Sequence, residues 1–342
     1  MTAGRQGELI RRFILDNVES HPADITRLTL ERFGVSRQAV SQHLRQLVSQ
    51  GLLGQEGNTR SRRYWLSRLV DWTERYPITT GLGEDQPWRE RVAPSLEDLG
   101  SNALAIWHYG FTEMFNNAID HSEGTWIGVS LEKTATTTEM IVRDDGVGIF
   151  KKIQSALGLL DERHSLLELS KGKFTTDPAH HTGEGVFFTS RMFDDFAILS
   201  GDLHFSHAAG STADWLIDAP RSRHGTFVFM KLRNSTSRST TEVFDQYASG
   251  DDYGFAKTVV PVSLATYGDD SLVSRSQAKR MLARVERFST VVLDFAGVDA
   301  IGQAFADEVF RVFPAEHPGV SLVEINARQA VERMVSRARS AR

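Results

Sequence analysis

The segment Phe111–Ser122, FTEMFNNAIDHS, puts the tightest limit on what this chain can fold into. At about 100° per residue, Phe111, Phe115, Ala118 and Ile119 share one side of a helix. Glu113, Asn117, Asp120 and His121 share the other. The apolar side needs a core to lie against. Glu113 and Asn117 stand one turn apart, so an acid can orient a water while a neighbouring amide oxygen holds Mg2+ beside phosphates. Taken alone, this polar side reads better as a solvated surface, but the neighbouring sequence adds to it.

TWIGVSLEK (125–133) alternates apolar and polar residues and reads as a strand. EMIVRDDGVGIF (139–150) reads as a second strand, closed by Asp144, Asp145, Gly146, Val147 and Gly148. A carboxylate at a strand end followed by Gly-x-Gly suits an adenine amino group, because glycines let a flat base lie against backbone. The motif alone is weak, since ordinary turns use the same residues. HHTGEGVFFTSRM (180–192) sets Gly183 and Gly185 just before an apolar helical run, where backbone amides can cradle phosphate. HGTFVFMKL (224–232) reads as a strand entered through Gly225 and Thr226.

In this order the four pieces resemble the GHKL superfamily, which includes DNA gyrase, histidine kinases and the anti-sigma-factor kinases. The resemblance implies a GHKL (Bergerat) α/β sandwich with ATP and Mg2+ between helices and sheet. On that resemblance Glu113 is the catalytic acid or base, Asn117 the Mg2+ ligand and His121 the polar position one turn on. Asp144 would bind adenine with Gly146 and Gly148 as its loop, Gly183 and Gly185 would form the second glycine box, and Thr226 would support the base. A lid would run from about Lys171 to Thr182, with Lys171 and Lys173 reaching phosphate. His181 stands where many relatives carry another glycine. Glu113 would activate a water for hydrolysis or a hydroxyl for phosphoryl transfer. A histidine autokinase is not expected, since residues 71–100 are too few and too rich in Pro and Gly for the acceptor hairpin.

The first 70 residues have a different character. They hold 11 Arg against 6 Asp and Glu, whereas the remainder holds 28 basic against 38 acidic residues. A basic module on an acidic body points to a local anionic partner. Helical spacing in GELIRRFILDNV and ITRLTLERFG is followed by GVSRQAVSQHLRQLVSQGLL, with Ser36 as helix cap, and by a Gly/Asn-tipped hairpin, LLGQEGNTRSRRYWLS. The order resembles a winged helix-turn-helix over residues 5–68. It implies that double-stranded DNA meets Ser36, Arg37, Gln38, Ser41, Gln42 and Arg45 on the second helix of the motif. Arg60, Arg62 and Arg63 would meet it on the wing.

At the other end, strand and helix patterns alternate from AKTVVPVS onward, as in a small α/β domain. VVLDFAGVDAIGQAFADEVF (291–310) and SRSQAKRML (274–282) resemble STAS-like modules. The turn Asp299–Gln303 has no hydroxyl where phosphorylatable relatives carry serine, so docking rather than phosphorylation is expected there.

The expected fold class is multidomain α/β: a winged helix (1–70), a linker (71–95), a GHKL domain (96–235), a linker (236–252) and a STAS-like domain (253–342). No cysteine is present, which excludes disulfides and thiolate metal sites. With no signal-peptide pattern and no long apolar run, a cytoplasmic protein with no membrane contact is expected. The expected function is ATP-dependent regulation of DNA binding and partner docking, as a transcription regulator that hydrolyses ATP slowly and forms a homodimer. The alternatives are a serine/threonine kinase acting on a separate partner, and a non-catalytic scaffold.

Overall fold

The computed structural model describes residues 3–58, 61–173, 183–208, 215–248, 255–265 and 271–340. The architecture is mixed α/β, with three sheets among the described residues. None of the described helices is long and apolar enough to cross a membrane.

The chain begins with α1 (Ala3–Asn17), α2 (Ile25–Phe33) and α3 (Arg37–Ser49). A two-stranded antiparallel ribbon follows, β1 (Leu53–Glu56) with β2 (Arg63–Leu66). Gly34 ends α2 in the left-handed region (φ 62°) and returns its amide to the Leu30 carbonyl. Ser36 caps α3 as expected, its hydroxyl oxygen accepting from the Ala39 amide at 3.2 Å. Ile14, Val40, Leu44 and Tyr64 belong to a core whose buried residues all come from these elements.

The second unit is one five-stranded antiparallel sheet in the order β3-β4-β5-β7-β6. Its strands are β3 (Val70–Pro77), β4 (Trp126–Lys133), β5 (Thr137–Asp144), β6 (Asp195–Ala208) and β7 (Trp215–Arg233). The period-two pattern of β5 buries Thr138, Met140, Val142 and Asp144 on one face. That face receives α4 (Ser101–His121), the helix with the polar stripe. Gly110 lets α4 come close, since a Cβ there would sit 2.5 Å from the Phe193 ring. The helices α5 (Ile149–Leu157), α6 (His164–Lys171), α7 (Gly185–Met192) and α8 (Thr240–Tyr247) complete the layer.

Two expectations about connections are corrected here. Residues 71–95 are not a linker. They hold the edge strand β3 and helical turns across 85–95, and they bury Trp72 and Val92 in the core. The Trp72 indole donates to the Ser95 hydroxyl at 3.0 Å, and the buried Lys133 ammonium donates to the Ser95 carbonyl at 2.8 Å and pairs with Asp98. Prolines at helix starts and a strand end, rather than a flexible chain, produce the composition that reads as a linker. Residues 236–252 likewise hold α8, started by a capping box between Ser239 and Glu242. Residues 249–252 lie outside the described residues.

The third unit is a parallel sheet, β10-β9-β8, from β8 (Lys257–Pro261), β9 (Thr290–Asp294) and β10 (Ser321–Ile325). It carries α9 (Arg275–Leu282), a helical run over 303–316 and α10 (Gln329–Ser340). A capping box between Ser274 and Gln277 starts α9. The helix stops at Leu282, where Ala283 leaves helical geometry and Arg284 turns left-handed (φ 65°).

Units two and three share one core. Phe187 and Phe188 of α7 and Tyr247 of α8 meet Phe255, whose ring lies 5.1 Å from Phe288. Each fully buried aromatic ring contributes about 1.5–3 kcal/mol, so this cluster is a substantial bond between the units.

Candidate functional site

The site grows from the end of β5. The Asp144 side chain is 8 % exposed. Its Oδ1 accepts from the Gly146 amide at 2.8 Å and from the Thr226 amide at 3.1 Å. The Thr226 hydroxyl accepts from the Ile149 amide at 3.0 Å, so one threonine ties β7 to both the acid and the start of α5. Burial pushes the Asp144 carboxyl above the usual carboxylate range, against the pull of the Gly146 and Thr226 hydrogen bonds, and nearby Asp145 adds to the rise. Asp145 moves the other way. Burial raises it, but the Thr125 hydroxyl and the Thr125 and Trp126 amides outweigh that and hold it low. These contacts pin the turn between α4 and β4 to the end of β5.

Glycines are required here by contact. A Cβ on Gly146 would lie 1.9 Å from the Ser122 carbonyl oxygen, and one on Gly225 would lie 2.0 Å from the Asp144 carbonyl oxygen. Gly148 sits at φ 88° against the Ser200 hydroxyl, which itself donates to the Gly225 carbonyl at 2.9 Å. Gly225 (φ 80°) is therefore a kink inside the long strand β7 rather than its entry.

Glu113, Asn117 and His121 follow one another along α4, each half-buried. The Glu113 carboxylate lies against Gly185, where a Cβ would come within 1.9 Å of Oε2. The Asn117 amide makes no hydrogen bond to any described residue. Tyr109, one turn before Glu113, has its hydroxyl pKa pushed far up by burial and by the negative charge of Glu113 and Glu184. Acids therefore gather where α4 meets the start of α7. Gly183 stands just before that start in the left-handed region (φ 73°). A buried acid at a strand end can accept from a ligand amino group, and a half-buried amide with an acid one turn away can hold a cation and orient a water. Among the described residues no three His, Asp or Glu side chains converge on a metal position.

Two expected ligands lie elsewhere. Lys171 is buried beneath the third unit, where its ammonium pairs with Glu168 at 2.7 Å and donates to the Ala283 carbonyl at 2.8 Å. Lys173 lies over the Phe288 ring at 4.8 Å and donates to the Arg287 carbonyl at 3.4 Å. The carbonyls that accept from the two ammonium groups, those of Ala283 and Arg287, come more than a hundred residues later, so nothing local in sequence announces them. Residues 174–182, the rest of the expected lid, lie outside the described residues. Ser122 and Ser200 stand in no motif that the sequence shows, and Gly225 reads there only as a strand entry.

In the first unit, Ser36, Arg37, Gln38, Gln42 and Arg45 are exposed and Ser41 is half-buried. Arg63 is exposed on β2, Arg62 is half-buried before it, and Arg60 lies outside the described residues. Arg37, Arg45 and Arg63 form no ion pair with any described residue, whereas Arg27 pairs with Asp24 and Glu31, and Arg68 with Asp71 and Glu132.

No curated protein matches the chain. Residues 277–332, from α9 through β9 and β10 into α10, match the family described as a STAS-like domain of unknown function (DUF4325).

Proposed function

We propose that the second unit is a GHKL-type site for Mg-ATP, that the first is a winged helix for double-stranded DNA, and that the third docks a protein partner or a second copy of the chain. The protein would then couple nucleotide binding to DNA occupancy, as a transcription regulator does. The observation that carries this reading is Asp144: a buried carboxylate at a strand end, held by the Gly146 and Thr226 amides beside the polar stripe of α4. Asp144 would accept from the adenine amino group, and Gly146 and Gly148 would let the base lie close. Asn117, half-buried and without a protein partner among the described residues, fits a magnesium ligand. Mg2+ would take its other ligands from phosphate and water and offset phosphate charge. Amides at the Gly183–Gly185 start of α7 would face phosphate, and Glu113 would orient a water and take its proton. Lys171 and Lys173 have no part in this scheme. For the first unit, the support is the set of unpaired guanidinium groups on α3 and β2, which suits phosphates and base edges.

The test is a calorimetric titration of the full chain with Mg2+ and a non-hydrolysable ATP analogue, beside Asn117→Ala. Binding to the wild type with loss of the Mg2+-dependent part in the variant is expected. No adenine-nucleotide affinity in the wild type would sink the reading. With γ-labelled ATP, release of free phosphate makes the protein an ATPase, and label on a partner makes it a kinase.

A further inference from the structure

The sheet of the third unit has two unlike faces. Val260, Val291 and Leu293, with Leu322 beside them, belong to the core shared with the second unit. Val259, Val292 and Val323 stand in register across the three strands, in a row on the opposite face. Val292 is only 7 % exposed, yet it joins neither core. Val323 is 41 % exposed, and Ile325 on the same face is 38 % exposed. Parallel sheets are ordinarily covered on both faces. Among the described residues, this apolar row has no core to lie against.

The row ends at a free edge. Among the described residues β10 pairs only with β9. The Ser321 amide donates to the Ser289 carbonyl at 2.8 Å, and the Ile325 carbonyl accepts from the Phe295 amide at 3.0 Å. Alternation along the strand then turns the amides and carbonyls of Leu322 and Glu324 outward, away from β9. Edges of soluble proteins are usually blunted by lysine, proline or a bulge. The strand SLVEI has no lysine or proline, and its register with β9 is unbroken. Its one charge is already answered, since Glu324 Oε1 and Oε2 each accept from Arg339 at 2.7 Å.

We propose that β10 pairs antiparallel with β10 of a second copy of the chain, about a two-fold axis at Val323. The edge is its own complement. The outward groups of Leu322 and Glu324 lie evenly on either side of Val323, so an antiparallel copy satisfies both residues at once. Leu322 would stand opposite Glu324 of the partner subunit and exchange both backbone hydrogen bonds with it, and the axis repeats that pair. Val323 would meet its own copy as the closer, non-hydrogen-bonded kind of pair. The valine row would then run unbroken from one subunit into the other. This rests on the docking role proposed for the third unit and names its occupant, and it does not depend on the nucleotide or DNA readings.

The test uses the full chain. Sedimentation at rising concentration should show a monomer–dimer equilibrium. Val323→Lys sets like charges directly opposite each other and should weaken the dimer about tenfold or more. Val323 is exposed, so the variant should keep the circular dichroism of the wild type. The chain has no cysteine, so a disulfide can form only between introduced ones. Opposed residues of a non-hydrogen-bonded pair have Cα atoms about 4.5 Å apart, within the roughly 4.4–6.8 Å that a disulfide spans. Val323→Cys should therefore cross-link to itself under mild oxidation. Ser321→Cys and Ile325→Cys proteins should cross-link when mixed and not when alone, which fixes the antiparallel register. A dimer that ignores Val323→Lys and gives none of these cross-links overturns the proposal and leaves the docking role standing on another surface. A chain that stays monomeric overturns the proposal together with the second-copy part of that role.

Discussion

Asp144 and Asp145 are adjacent acids with opposite effects on pH-dependent stability. Asp144 has a folded-state pKa raised by burial. Its contribution to stability is therefore full below the unfolded carboxylate value and is lost as pH rises through the folded value. At neutral pH the ionised, buried carboxylate burdens the fold. Asp145, held low by Thr125 and Trp126 despite some burial, stabilises above the unfolded value and loses that contribution as pH falls. In urea denaturation, Asp144→Asn should be at least as stable as wild type at neutral pH, with the advantage shrinking toward pH 4. Asp145→Asn should be the less stable of the two at neutral pH. The same Asp144→Asn protein should bind adenine nucleotide about ten- to a hundredfold more weakly, the cost of a buried hydrogen-bond partner lost. Unchanged affinity would remove Asp144 from the proposed role. The glycines divide in a similar way. Gly146→Ala would meet the Ser122 backbone, which cannot yield, and should cost about 1–3 kcal/mol in chemical denaturation. Gly185→Ala would meet only the end of the Glu113 side chain, which can swing aside. It should leave stability nearly unchanged and reduce any ATP turnover by displacing Glu113. Asp144, Gly146 and Gly148 were legible in sequence because the acid and its loop are contiguous. Thr226 lies 82 residues from Asp144, and only the resemblance to a known order of motifs brought it in.

At the scale of elements, α6 is the part the sequence misrepresents. Its lysine reads as a solvent-facing phosphate ligand, yet every residue of His164–Lys171 is buried. The reason is tertiary. The Lys171 carbonyl accepts from the Thr258 hydroxyl on β8 at 2.6 Å, and its ammonium serves the carbonyls at the end of α9. Lys171→Met would leave Glu168 buried with only Arg284 to answer it, and should cost about 3–5 kcal/mol in urea denaturation. Adding Glu168→Gln removes the orphaned charge and should recover most of the loss. A Lys171→Met protein as stable as wild type would show that the pair holds nothing together. The stretch 71–95 was misread for a related reason. Its strand is an edge, so its pattern is interrupted, and its place is fixed by pairing with β4 and by the Lys133 ammonium, which donates to the Ser95 carbonyl. Helix α3, by contrast, is readable from its Ser36 cap and its periodicity, and the second half of α4 from periodicity alone, because their cores form on one helical side.

For the molecule as a whole, the sequence suggests three domains but the packing forms two cores. The first unit keeps its own core, with Ala135 of the β4–β5 turn as the contact from the sheet. Its other links to the second unit are modest: the Leu69 amide to the Lys133 carbonyl at 2.7 Å, Arg68 to Glu132 at 3.0 Å, and Arg12 to the Ser235 hydroxyl at 3.3 Å. Exposed ion pairs of this kind contribute about 0–1 kcal/mol each. The second and third units instead bury aromatic rings and a charged pair against each other, inside one continuous core. Cooperative unfolding follows shared burial rather than sequence boundaries. Calorimetry of the full chain should therefore resolve two unfolding transitions rather than three. Removing residues 1–68 should abolish one transition and leave the other at nearly its original temperature. A fragment of residues 253–342 alone would expose Phe255, Phe288 and the end of α9 that Lys171 covers, and it should show no cooperative melt. Three separable transitions, or a cooperative melt in that fragment, would mean that the aromatic contact between the units does not couple their folding.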